Sequence, residues 1–196
     1  MKAILEDFLC QALESELGGI LVYEKAIDCA QNEDLKEEWE TYLEETREHV
    51  TVYTELLTKL GIDPEAETPG RKIVRYKAAS LVKVMDLARS GDEPEAAELV
   101  AAECVVEAET KCHLNWQLVG ALGKETEGPD GKALRAAHDE VEEQEAEHLY
   151  HTTGWARELW IKHLGMPAVL PPPEEEKGVK TAIGASRAKK ARKEML

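Results

Sequence analysis

The chain has 196 residues, enough for one domain with a single core, and is 43% hydrophobic with only one Phe, so Leu, Val, Ile and Ala must fill that core. The net charge is −16, and residues 177–193 hold seven Lys/Arg and no acid, so the remainder carries −23. Such an acidic body excludes a large nucleic-acid surface and suits cations or simple solubility. Cys10, Cys29, Cys104 and Cys112 form no C-x-x-C pair, which excludes a Cys-type zinc site and reads as reduced, buried thiols. No apolar run approaches the ~20 residues of a membrane span. The N-terminal stretch lacks the apolar core of a signal peptide, so a cytoplasmic protein is expected.

In chain order, the first helix is predicted over 2–31. Leu9, Ala12, Leu13, Gly19, Ile20, Tyr23 and Ile27 recur at steps of three and four and make one apolar stripe. A second helix starts near Asp34, where Glu37 completes a capping-box pattern, and ends at Leu60 before Gly61, Pro64 and Pro69. A shorter helix is predicted within 71–90. The third long helix spans 93–124, with Asp92 and Glu95 as its capping pair, and the fourth spans 131–164. The prolines after 166 cannot continue a helix.

Short links make helices one and two, and three and four, antiparallel hairpins, and about 30 residues join the pairs, enough for a long crossover. The expected organisation is one all-α domain over 1–165, followed by a Pro-rich linker and basic tail over 166–196. The tail has the charge to meet nucleic acid or an anionic surface. It is short and has no aromatic for base stacking, so it reads as a solubilising segment.

A weak internal repeat runs through the helices. "LKEEWETYLEETREH" (35–49) matches "LRAAHDEVEEQEAEH" (134–148) at an offset of 99, and "ALESE" (12–16) matches "VVEAE" (105–109) at an offset of 93. The matches bring out Glu16, His49, Glu109, Glu145 and His148, each near the middle of its helix and each among apolar neighbours. Carboxylates buried together are costly unless protons or cations compensate them. Glu145 and His148, at i and i+3, reach one point from one helix face. Carboxylates with imidazoles suit iron or manganese better than structural zinc.

These residues give the sequence its likeness to a known family. With "ELGGILVY" (16–23) and "EAEH" (145–148), residues 2–164 resemble the ferritin-like superfamily, which includes rubrerythrins, bacterioferritins and manganese catalases. The resemblance implies a four-helix bundle of two hairpins joined by a crossover. It implies two iron or manganese ions, with Glu16 and Glu109 as terminal ligands, Glu145 bridging, and His49 and His148 holding one ion each. It further implies an oxidoreductase, peroxidase or ferroxidase acting on peroxide or dioxygen, and a homodimer. No C-x-x-C segment is present, so a complete rubrerythrin is not expected.

The family pattern breaks at Thr46, which stands where a second bridging Glu belongs, and a hydroxyl cannot neutralise cations as a carboxylate does. Glu45, at a workable i,i+4 spacing from His49, could replace it, Cys112 or His113, one turn beyond Glu109, could complete an altered site, or the site could hold one ion or none. Two functional classes follow: a metal-dependent oxidoreductase, and a non-catalytic bundle with a degenerate site that acts through protein association. Glu44, Glu48, Glu142, Glu143 and Glu147 read as a solvated face. Glu14 and Glu107 read as stripe edge, and His138 and His151 as boundary residues. Tyr23, Tyr53, Trp116 and Trp155 read as core packing.

Overall fold

The computed structural model describes residues 2–167; the expected linker and basic tail lie outside the described residues from position 168 onward. The fold is all-α. Five helices are present among the described residues: α1 (Lys2–Cys29), α2 (Glu33–Lys59), α3 (Pro69–Arg89), α4 (Pro94–Glu125) and α5 (Gly128–His163). None is long and apolar enough to cross a membrane.

The elements match the expected ones, with differences at their starts. The cap of α2 is Asn32, whose side chain accepts from the N–H groups of Asp34 and Leu35, rather than Asp34 itself. Helix α4 is capped by Glu93 without a side-chain hydrogen bond, and the Asp92–Glu95 pairing does not form the cap. Helix α5 begins three residues early, at Gly128, because Pro129 fits the first turn, where no N–H is needed. Helix α2 ends in a Schellman motif: Gly61 has φ +69, and the Ile62 N–H reaches the Leu57 carbonyl at 2.9 Å.

Helix α1 packs on α2, α3 and α4, α4 on α3 and α5, and α2 on α5. The α2–α5 pairing is antiparallel, since His49 meets Gln144, Glu45 meets His148, Tyr42 meets His151 and Glu38 meets Trp155. Helix α3 crosses back along α1 in the same direction. Asp7 accepts from Gly70 N–H, Gly18 lies against Ala78, and Lys25 pairs with Asp86. The Gly18 contact needs glycine, because a Cβ there would sit 2.6 Å from the Ala78 Cβ.

Two buried carboxylates pin the connections. Glu14, expected at the stripe edge, is buried and accepts from Arg71 Nε at 2.6 Å and Arg75 Nε at 2.7 Å, which fastens the start of α3. The expectation failed because Arg71 lies 57 residues away and no local pattern reveals it. Glu98 accepts from the N–H groups of Gln31 and Asn32 at 2.7 and 2.6 Å and holds the α1–α2 turn.

The core falls into two apolar clusters. One contains Leu9, Leu13, Tyr53, Leu56, Trp116 and Val141. The other contains Val22, Tyr23, Leu35, Trp39, Tyr42, Met85 and Val105. On α1, α2 and α4 the chain passes from one cluster to the other across a polar step at Glu16, at Thr46 and His49, and at Glu109. On α5 the step at Glu145 and His148 follows Val141 of the first cluster and precedes Trp155, which packs against the second. All these polar side chains are buried.

Candidate metal centre

The five residues singled out by the sequence meet between the two apolar clusters. Glu16, Glu109, Glu145, His49 and His148 are each at most 2% exposed, too deep for water to solvate their charges. Nδ1 of His49 lies 2.8 Å from Glu145 Oε1 and 3.8 Å from Glu16 Oε2. Nδ1 of His148 lies 3.7 Å from Glu109 Oε2. Each histidine is thus matched with the glutamate of the first helix in its own hairpin. Donor atoms of His49, Glu145 and His148 lie within 4.8 Å of one another.

The outer ring nitrogens fix the tautomers. His148 Nε2 donates to Glu45 Oε2 at 2.7 Å, and His49 Nε2 donates to Gln144 Oε1 at 3.0 Å. Both Nδ1 atoms therefore face inward, where neither makes a hydrogen bond; both Glu145 oxygens and Glu109 Oε2 also lack one. The 2.8 Å contact of His49 with Glu145 is close in distance but not aligned as a hydrogen bond. Orphaned buried acceptors of this kind call for an ion or proton that satisfies them.

A cation fits this arrangement. Two donors each ~2.1 Å from one ion stand roughly 3.0 Å apart at a right angle and roughly 3.8 Å apart at a wide one. The His49–Glu145, His49–Glu16 and His148–Glu109 separations fall close to or within that interval. The two imidazoles are near-parallel, 28° between planes and 5.5 Å between centroids. Both Glu145 oxygens are free of hydrogen bonds, and a donor atom of Glu145 lies within 4.8 Å of one on each histidine.

Without a cation the cluster holds protons instead. Burial pushes His49 down, but the Glu145 and Glu16 carboxylates outweigh it and raise it to about 11. Burial likewise opposes His148, which Glu109 and Glu45 raise to about 9. Burial, then the Glu16 carboxylate, pushes Glu145 up to about 8. Burial raises Cys112 well above the thiol range, with Glu16 adding to it.

The first helices brace the carboxylates crosswise. Trp116 Nε1 of α4 donates to Glu16 Oε1 of α1 at 3.0 Å, and the Tyr23 hydroxyl of α1 faces Glu109 of α4. Tyr23 and Trp116 were read as packing alone; they stand 93 residues apart, the offset of the repeat on α1 and α4, and that is the signal that pairs them. Tyr42 lies over His148, with ring centroids 4.2 Å apart, and its hydroxyl meets His151 Nδ1.

Thr46 is buried, but its hydroxyl donates to the Tyr42 carbonyl at 2.7 Å and its methyl faces Gly19. Its hydroxyl proton is committed there, and it brings the centre no charge. Glu45, considered as its substitute, stands behind His148 on the outer ring nitrogen and not among the inward donors. Cys112 adjoins Glu16. His113 is half-buried and turned toward Gln117 and Tyr150. His138 groups with Asp139 and Glu142 at the surface.

Comparison with known protein families, with curated proteins and with solved structures finds no match.

Proposed function

We propose that α1, α2, α4 and α5 form a ferritin-like four-helix bundle that binds two iron or manganese ions and acts as an oxidoreductase on peroxide or dioxygen. One observation carries the reading: five buried polar side chains from four helices converge with their inward nitrogens and the Glu145 oxygens unpartnered. Glu16 with His49 would hold one ion, Glu109 with His148 the other, and Glu145 both. Bound iron or manganese would supply one-electron steps toward the oxidant.

The chain's own groups do the rest. Gln144 and Glu45 fix the imidazole tautomers so that both Nδ1 lone pairs face inward. Trp116 holds the Glu16 carboxylate in place. The apolar clusters above and below exclude water, which strengthens every charge interaction between them. Tyr42 and His151 keep a proton position next to the His148 ring.

The tie between the Thr46 hydroxyl and the Tyr42 carbonyl favours a second reading, a bundle that has lost its metal chemistry and acts through protein association. Metal analysis after anaerobic loading with Fe(II) or Mn(II) separates the two. Bound metal supports the first reading; a chain that takes up none leaves the second.

A further inference from the structure

The two halves of the centre differ most in what stands behind each histidine. His148 Nε2 donates to a carboxylate, Glu45, at 2.7 Å, and His49 Nε2 donates to a neutral amide, Gln144, at 3.0 Å. The two acceptors are counterparts. Each stands four residues before the histidine of its own helix and reaches across to the histidine of the other.

The difference falls where the inner ring is short of charge. Glu145 stands beside His49, and its counterpart, which would stand beside His148, is Thr46. Thr46 turns its hydroxyl to the Tyr42 carbonyl and contributes none. Glu45 places one negative charge behind the same imidazole. A carboxylate that accepts the outer N–H makes the inner nitrogen a stronger donor, and loss of such a partner typically weakens metal binding by about 10–100-fold. An amide acceptor orients the ring without adding charge. Glu145 lies closest to His49, yet a donor atom of it is within 4.8 Å of one on each histidine and both its oxygens lack a hydrogen bond, so it can reach either position.

We infer that the two cation positions are unequal and fill in order, the Glu109–His148 position first, with Glu45 as the positioning residue that sets the order. The inference rests on the two-ion reading above. It assigns Glu45 the charge that Thr46 lacks, moved one layer outward through an imidazole.

The test is a Mn(II) titration of the full chain, with free Mn(II) followed by electron paramagnetic resonance. The wild type is expected to bind in two steps, the first at least about tenfold tighter than the second. Glu45→Gln weakens the first step by about 10–100-fold and leaves the second, so the steps merge. Gln144→Glu tightens the second step by a similar factor. That gain cannot come from damage to the fold, and it decides the matter if Glu45→Gln fails to fold. Two equal steps in the wild type, or no change on either substitution, overturn the inference and leave the metal centre standing. A wild-type chain that binds no manganese overturns the two-ion reading and the inference together.

Discussion

The α1–α2 and α4–α5 hairpins carry a matching glutamate and histidine at the same depth and differ in the residues around them. Glu16 and His49 in the first answer to Glu109 and His148 in the second. Thr46 stands against Glu145, Gly19 against Cys112, and Glu45 against Gln144. The first hairpin has no carboxylate at position 46 and instead a small, close contact between Gly19 and Thr46. It carries its extra acid one layer further out. Matching depth brings the donors together; the mismatched positions decide how much charge they hold.

The largest effect expected from breaking this comparison comes from its one shared element. Glu145→Ala removes the carboxylate proposed to serve both positions, the one among the described residues with both oxygens buried and without a hydrogen bond. Mn(II) affinity should fall by at least about 100-fold, beyond the range seen for outer partners. His49→Ala, measured by the same titration, should remove the second step alone.

Thr46→Glu makes the hairpins alike, and its sign depends on the cation. In the metal-free protein it buries a further carboxylate beside Glu145, which costs about 3–5 kcal/mol if the group stays charged and unpaired. The metal-loaded protein should instead gain, with tighter binding of the Glu109–His148 ion. Thermal unfolding with and without Mn(II) reads both changes. A loss in both states contradicts position 46 as the counterpart of Glu145.

A pH series sharpens the same contrast. Glu145 rises from an ordinary 4.5 to about 8 in the folded chain, and its protonated form favours folding. That contribution is complete below 4.5 and is lost as pH rises through about 8. His49 and His148, raised from 6.5 to about 11 and about 9, contribute fully below 6.5 and lose it as pH rises through those values. The metal-free protein should therefore weaken from pH 5 to pH 9. Cation binding has fewer protons to displace over the same window, so the melting-temperature gap between loaded and metal-free protein should widen.

Trp116→Phe is the mildest perturbation. It removes the hydrogen bond from Trp116 Nε1 that orients the Glu16 carboxylate. The Glu16–His49 position should weaken several-fold while the Glu109–His148 position holds.

The helices and the inward five were legible because periodicity and repetition are local properties of a sequence. The stripe from Leu9 to Ile27 and the offsets of 93 and 99 bring out Glu16, His49, Glu109, Glu145 and His148 without any knowledge of contacts. Partnerships across helices were not legible. Glu14 with Arg71, Glu98 with the α1–α2 turn, and Tyr42 with His151 depend on packing that no spacing encodes. Glu45 is the instructive case. Its distance of four residues from His49 suggested a donor to the same cation, but the antiparallel α2–α5 pairing carries it to the outer side of His148. The offset of 99 already aligned Glu45 with Gln144, and that alignment, rather than the spacing to His49, held the useful information.

The most direct measurement is the number of ions bound per chain after anaerobic loading with Fe(II) or Mn(II) and removal of excess metal. Two ions per chain are expected, with both lost in Glu145→Ala. A folded chain that retains none would contradict the account, and the buried carboxylates and imidazoles would then be held by protons alone.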